Sequence, residues 1–196
     1  MPASEAHHGI VPNWGLESPQ NPQTRMSALH SAVLKAIYDV MNPGLGDILT
    51  EAQIITDLQA ANRWEAIDEL INHLVKAGRI KSGHRDAVVA AVRKRESSMS
   101  TGIGFGIGLP HASTELIHEP VAALGRSKGK INFDSLDGKP VSLVVLFLIP
   151  QGQFQVHLHT VAGIAKLLQR ADFRQALELA PDIGAMLKII RGRPAS

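Results

Sequence analysis

The sequence contains no cysteine among its 196 residues. This absence excludes a thiolate nucleophile, a cysteine-ligated zinc site and a disulfide framework, and it agrees with a reducing, cytoplasmic location. Aromatic residues make up only 4% of the chain, and neither sign of charge dominates, because 20 Lys and Arg accompany 18 Asp and Glu. The basic residues are scattered, apart from Arg93, Lys94 and Arg95. This balance argues against a nucleic-acid partner.

Long hydrophobic runs are also missing. The longest strongly apolar stretch, residues 141–149, includes Ser142, whereas a membrane-spanning helix needs about 20 apolar residues. The N-terminus has no basic start followed by an apolar core, so it does not match a secretory signal. We therefore expect neither membrane insertion nor export.

Composition predicts one main domain, because 44% of the residues are hydrophobic and the length suits a single core. Residues 1–25 hold four of the 11 prolines and show no sustained apolar period, which predicts a flexible extension. An apolar face that ends at Asn42-Pro43-Gly44 predicts an appended helix. We therefore assign residues 1–45 to an extension plus helix, and residues 46–196 to the domain.

The pattern of the domain changes from helical to strand-like and back. Five segments have helical spacing of apolar residues: one capped by Asn62 and ending before Gly78, and those at about residues 84–95, 155–169, 172–180 and 182–191. Strand-like patterns occupy residues 100–110, 120–125 and 141–149, of which the last is apolar enough to be buried on both faces. This order predicts an α/β fold: a single domain with a small mixed β-sheet flanked by α-helices, preceded by the N-terminal extension.

Glycine occupies every second position from 102 to 108, just before Pro110 and His111. A dinucleotide-binding fingerprint requires G-x-G-x-x-G and a P-loop ends in Gly-Lys-Ser/Thr, and this segment matches neither. We expect most of these glycines to permit tight backbone packing.

His111 follows this glycine row and leads the candidates for covalent chemistry, because the chain has no cysteine. Imidazole has an unperturbed pKa near neutrality, so it can serve as a neutral nucleophile, a proton shuttle or a metal ligand. A structural role for the Pro-His pair is the alternative. His157 and His159 form an H-x-H pair at the start of a predicted helix. Their side chains diverge by about 200°, so only one of them is expected to reach a site shared with His111.

Arg95 ends the second predicted helix and is a candidate phosphate ligand, because its planar guanidinium can hold two phosphate oxygens. Ser100 and Thr101, in the hydroxyl-rich stretch that follows, are the other predicted phosphate-binding residues. Backbone N–H groups of a glycine-rich turn can form an anion-binding nest. The alternatives are a solvated cation for Arg95 and an open metal site with histidine ligands.

Residues 95–111, from the Arg-Glu pair through Ser-Thr-Gly to Pro-His, resemble the active-site signature of enzyme IIA domains of the bacterial phosphoenolpyruvate:sugar phosphotransferase system. The resemblance is to the mannitol/fructose class, and most of all to its nitrogen-regulatory branch. Asp137-Gly138, the apolar run ending at Pro150 and the H-x-H pair resemble the second half of that family. The similarity covers about residues 47–190. Phe105 departs from the signature, which often has asparagine there.

The resemblance implies a phosphoryl carrier rather than a stand-alone enzyme, with the small mixed sheet described above. It implies that His111 accepts a phosphoryl group from an HPr-like phosphohistidine donor, that His157 assists and that Arg95 helps to hold the phosphate. No metal or other cofactor is expected. The implied role is regulatory or in sugar uptake, as a separate cytoplasmic component, with an enzyme IIB, a sensor kinase or an ion transporter as further partners. The alternatives are a binding module that is not phosphorylated and a metal-dependent hydrolase using His111 and His157.

Overall fold

A computed structural model describes residues 44–192, with the side chains of residues 154–157 excepted. Nearly all of the predicted extension, and with it the appended helix, therefore lies outside the described residues. The helices of the described part are α1 (Leu45–Ile48), α2 (Arg63–Lys76), α3 (Arg85–Ser98), α4 (Phe154–Leu168), α5 (Ala171–Leu179) and α6 (Ile183–Ile190). Its strands are β1 (Ile54–Ile55), β2 (Gly102–Gly104), β3 (Ile107–Gly108), β4 (His111–Thr114), β5 (Val121–Ile131) and β6 (Val141–Pro150).

The six strands form one mixed sheet around β6. Their order is β1-β5-β6-β3-β2, and β4 also pairs with β6. Strands β3 and β4 follow one another along the same edge of β6, both parallel to it, while β5 runs antiparallel to β6 along the other edge. This arrangement confirms the predicted α/β class with a mixed sheet.

Helices cover both faces of the sheet, so β6 is buried along its whole length. Its odd-numbered residues from Leu143 to Ile149 belong to a core shared with α1, α4, α5 and α6. Its even-numbered residues from Val144 to Leu148 belong to a second core shared with α2 and α3. Because both faces of the strand are covered, its sequence is continuously apolar rather than alternating.

The N-terminus of α2 lies where the sequence predicts it. Asn62 accepts hydrogen bonds from the N–H groups of Trp64 at 3.0 Å and Glu65 at 3.1 Å, which satisfies two donors that the helix itself cannot pair. Strand β5 is longer than predicted. Residues 126–130 are mostly polar and so gave no strand-like pattern, but in the structure they continue the strand. Between residues 44 and 192 no helix is long and apolar enough to cross a membrane.

Candidate functional site

His111 is the first residue of β4, paired with Phe147 of β6. The N–H of Phe147 donates to the carbonyl of Pro110 at 2.9 Å, and the N–H of Leu109 donates to the carbonyl of Thr101 at 3.0 Å. The backbone on both sides of the histidine is therefore fixed by the sheet. The sequence pattern assigns no element to residues 111–114, and the structure has a short strand there that is stabilised by pairing with β6.

The half-buried His111 ring has one nitrogen held by the main chain. Its Nδ1 lies 2.9 Å from the carbonyl oxygen of Leu109. A carbonyl oxygen can only accept a hydrogen bond, so Nδ1 carries the proton. In the neutral ring the lone pair is then on Nε2, which makes Nε2 the nucleophilic nitrogen.

A cleft of about 570 Å³ lies between α3 and β4, and His111 lines it. The α3 residues on its wall, at positions 91, 94, 95 and 98, share one helix face, because each lies three or four positions from two of the others. The described residues that line it are Ala91, Lys94, Arg95, Ser98, His111, Ala112 and Ser113. The structure thus brings Arg95 and His111, which are 16 positions apart in the sequence, to the same cleft.

Among its described lining residues the cleft has two cationic side chains, Lys94 and Arg95, and no carboxylate. Arg95 lies in the last turn of α3, where a cation is favoured by the negative end of the helix dipole. Its Nη1 donates to the carbonyl of Met99 at 3.0 Å, which orients the guanidinium. A phosphate dianion entering this cleft would meet positive charge on the α3 side and the His111 imidazole on the β4 side.

The hydroxyl groups of Ser100 and Thr101 have other partners. Ser100 Oγ donates to the carbonyl of Phe133 at 2.8 Å, and Thr101 Oγ1 donates to Oε2 of Glu96 at 2.5 Å. Neither residue is among those that line the His111 cleft. Their predicted role in binding phosphate stays a prediction, and the geometry gives both of them a structural role.

Glu96 is the buried centre of a network that holds the end of α3. Its side chain is inaccessible to solvent, and its Oε1 also accepts the N–H of Thr101 at 3.0 Å. Arg63 Nη1 lies 4.0 Å from the same carboxylate and 3.0 Å from the carboxylate of Asp134. Glu96 therefore ties residues 99–101 to α3, beside the turn that carries Arg95.

Sequence reasoning missed Lys94, Ser98 and Ser113 as cleft residues, and Glu96 as their support. The helical spacing could have identified Lys94 and Ser98, since positions 91, 94, 95 and 98 share one face of a helix. No comparable signal identified Ser113, because it depends on the unpredicted strand β4, whose alternation exposes Ser113 and buries Ala112.

His157 lies in the first turn of α4, and its side chain is outside the described part of the chain. Strands β4 and β6 are parallel and end together, because Thr114 pairs with Pro150. Helix α4 begins four residues after Pro150, so it starts at the same end of the sheet as the end of β4. The pairing of His157 with His111 stays a prediction. His159 is exposed on α4. Among the described side chains no group of three or more His, Cys, Asp or Glu could hold a metal ion, so they lend the hydrolase alternative no support.

The glycine row lies away from the cleft and serves close packing. A Cβ at Gly108 would lie 2.9 Å from the Phe133 ring, and one at Gly102 would lie 2.7 Å from Cα of Ser135. The glycine turn at residues 104–106 lies at the opposite end of β6, where the carbonyl of Gly106 accepts the N–H of Ser142 at 2.9 Å. It therefore does not supply N–H groups to His111.

Comparison with known proteins identifies the family. Residues 47–192 match the family "Phosphoenolpyruvate-dependent sugar phosphotransferase system, EIIA 2". The chain is 36% identical over 144 residues to the fructose-specific EIIABC component of Bacillus subtilis, which covers 74% of this chain and 22% of that protein. It is 35% identical over 136 residues to the fructose-specific EIIA component of Haloferax volcanii, covering 66% of this chain and 87% of the relative.

A solved structure agrees with these matches. The nitrogen regulatory protein IIA-Ntr of Neisseria meningitidis superposes with a TM-score of 0.68 at 25% identity, and the match covers 74% of this chain and 98% of that one. The predicted resemblance is thereby confirmed, and with it the class of phosphoryl-carrier components. The chain belongs to the type 2 enzyme IIA family of the phosphoenolpyruvate-dependent sugar phosphotransferase system.

Proposed function

We propose that His111 is the residue that carries the phosphoryl group, and that it receives the group from a phosphohistidine on an HPr-like donor protein. The observation that supports this role best is the contact between Nδ1 of His111 and the carbonyl of Leu109. It directs the lone pair of the neutral ring to Nε2, on an imidazole that lines a cationic cleft.

The transfer step balances without an added reagent. The Nε2 lone pair attacks phosphorus and the P–N bond to the donor imidazole breaks. The donor ring, which carries a proton on its other nitrogen, takes the electron pair of that bond and leaves as neutral imidazole. The new P–Nε2 bond leaves the His111 ring with its Nδ1 proton. Positive charge that develops on this ring during attack is stabilised by the Leu109 carbonyl, which accepts the Nδ1–H hydrogen bond.

Arg95 and Lys94 supply the positive charge that the transferring group requires. Phosphoryl transfer depends mainly on positioning and on neutralising charge at the equatorial oxygens. A guanidinium can bind two of these oxygens at once, and an ammonium acts as a point charge. We assign the first role to Arg95 and the second to Lys94, and we retain His157 as the assisting residue. Ser100 and Thr101 are retained as phosphate ligands of lower priority, since their hydroxyls donate elsewhere.

The downstream partner follows from the branch to which the protein belongs. The relatives include fructose-specific components and a nitrogen regulatory protein. An enzyme IIB acceptor fits the first group, and a sensor kinase or an ion transporter fits a regulatory role. We propose that the protein acts in the cytoplasm, where phosphoenolpyruvate and an HPr-like donor would be available.

The test is a phosphorylation assay with labelled phosphoenolpyruvate, enzyme I and HPr. Wild-type protein should take up one acid-labile, alkali-stable label, and His111→Ala should take up none. His118→Gln, which changes an exposed histidine outside the cleft, is the matched control and should label like wild type. Arg95→Gln should slow labelling about tenfold to a hundredfold, the loss expected for one charge-assisted contact.

Two results would contradict the proposal. The first is full labelling of His111→Ala, which would place the phosphoryl group elsewhere. The second is the absence of label on wild type together with partner binding that His111→Ala leaves unchanged, which would favour a binding module that is not phosphorylated. Transfer of label from the loaded protein to an added enzyme IIB would assign the sugar-uptake branch.

A further inference from the structure

A second cleft, of about 440 Å³, lies at the other end of β6. Ser142, near the start of the strand, lines this cleft, whereas His111 pairs with Phe147 near the strand's end. Five residues of extended chain separate the two positions, which corresponds to about 17 Å. The second cleft is therefore distinct from the proposed phosphoryl site.

Positive charge is concentrated around this second cleft. Of the lining residues that the structure describes, four have cationic side chains and only Glu178 has a carboxylate. The cations are Arg126, Lys128, Lys130 and Lys139. Four cations and one carboxylate give these lining residues a net charge of +3, which exceeds the formal charge of the whole chain, +2. A concave surface with one sign of charge focuses the field and attracts small ions of opposite charge.

The carboxylates nearby neutralise little of this charge. Lys128 Nζ lies 3.9 Å from Asp57, and in the described part of the chain Nζ of Lys130 and Nζ of Lys139 have no carboxylate within 4.0 Å. The Asp137 carboxylate is nearby, because it accepts the backbone N–H of Lys139 at 3.1 Å. Arg126 is 7% exposed and is held by main-chain oxygens, with Nη1 donating to the carbonyls of Leu177, Glu178 and Ala180 at the end of α5. The carbonyls satisfy its N–H groups but leave its positive charge in place.

Phe105 lines the cleft with an aromatic ring, and its backbone has an unfavourable conformation. It is 60% exposed, and its φ is 58°, between two glycines that also have positive φ. A bulky residue costs free energy in this left-handed region, where glycine or asparagine is preferred. Arg174 lies 5.3 Å from the ring centroid, and the carboxylate of Asp137 accepts the N–H of Phe105 at 3.0 Å.

Two such outliers line the same cleft, because Lys130 also has a positive φ, of 59°. Unfavourable backbone conformations persist where the surrounding structure enforces them, and they concentrate at binding sites. An exposed aromatic ring beside lysines is a combination that suits a ligand with a planar base and a phosphate chain, since the ring can stack on the base while the ammonium groups bind phosphate.

We propose that this cleft binds a nucleoside polyphosphate, with its phosphates at Lys130 and Lys139 and its base against Phe105. The volume is within the range of small-molecule sites. The proposal goes beyond phosphoryl transfer and does not depend on it, because no residue of the His111 cleft takes part.

The experiment is isothermal titration calorimetry of the full-length protein with ATP, pyrophosphate, adenosine and fructose bisphosphate at low ionic strength. Wild type should bind ATP saturably and more tightly than it binds any of the other three. The double variant Lys130→Ala/Lys139→Ala should bind ATP about tenfold or more weakly. The control Lys81→Ala/Lys188→Ala removes the same charge from exposed positions elsewhere and should bind like wild type.

Phe105→Asn separates base recognition from phosphate recognition. It should weaken ATP binding about fivefold or more while leaving pyrophosphate binding unchanged. The proposal is overturned if wild type fails to bind ATP, if the two double variants lose affinity equally, or if fructose bisphosphate binds as tightly as ATP. Labelling of His111 in the same variants reports folding and is expected to be unchanged.

Discussion

The role of Thr101 can be decided by one substitution, Thr101→Val. Valine has nearly the same shape as threonine but has no hydroxyl, so the change removes the 2.5 Å hydrogen bond to Glu96 and little else. The Glu96 carboxylate is buried. Within residues 44–192 as described, it then keeps only the N–H of Thr101 as a hydrogen-bond donor, with Arg63 Nη1 at 4.0 Å. If the geometry describes the role of Thr101, this variant is first of all a stability mutant.

The magnitude follows from the charge of the acceptor. A hydrogen bond to an ionised group contributes about 1.5–3 kcal/mol, more than a neutral one. The remaining donor lessens the loss, so we expect the free energy of unfolding to fall by about 2 kcal/mol. For a domain of this size, that corresponds to a decrease in Tm of about 4–8 °C.

Urea unfolding measures this loss, and Thr160→Val is the matched control. Thr160 is also buried, and its hydroxyl has no hydrogen-bond partner among the described residues. Replacing it should therefore leave stability unchanged or slightly raised. A different result would refute the structural role. If the Thr101→Val variant unfolds like wild type but its rate of phosphorylation falls more than about tenfold, Thr101 binds phosphate directly.

Two further predictions concern packing and pH. Gly108→Ala should destabilise the protein by about 1–3 kcal/mol in urea unfolding, because its Cβ would lie 2.9 Å from the Phe133 ring; unchanged stability would show that the ring can move aside. Burial lowers the pKa of His73, although its hydrogen bond to the Ala52 carbonyl opposes this. As the pH falls, His73 of the unfolded chain is protonated at a higher pH than His73 of the folded protein, so stability should fall as the pH drops below about 6.5. The His73→Gln variant should show a weaker dependence of stability on pH. An identical pH profile in both proteins would contradict the assignment.

The elements with a strong apolar period could be predicted, and those defined by pairing could not. The helix between Asn62 and Gly78 has a cap, an apolar stripe and a terminating glycine, all of which are local features. Strand β4 has four residues and no such pattern, and it exists because its backbone pairs with β6. The polar half of β5 also has no apolar pattern: β5 pairs with β6 at Arg126 and at Ile131, and the register shifts between these two residues.

The chemistry of the site was predictable by residue type, but its boundary was not. His111 was a candidate nucleophile because the chain has no cysteine, Arg95 was a candidate phosphate ligand because a guanidinium can hold two phosphate oxygens, and the fold places both at one cleft. The hydroxyls of Ser100 and Thr101 had the right chemistry as well. Their actual partners, Phe133 and Glu96, depend on how the chain folds back, and the sequence has no local pattern that reveals this.

A carrier also has a reason to keep such hydroxyls away from its phosphoryl group. It must pass the group on, so it cannot bind the phosphorylated form much more tightly than the donor and acceptor do. Each fixed donor to a phosphate oxygen contributes about 1.5–3 kcal/mol, which would shift the transfer equilibrium by about tenfold to more than a hundredfold. If Ser100 and Thr101 both contributed, the phosphoryl group would be trapped on His111, the residue proposed to carry it. By engaging these hydroxyls in structure, the fold would leave neutralisation in the proposed carrier to Arg95 and Lys94, whose interactions water in the open cleft partly screens.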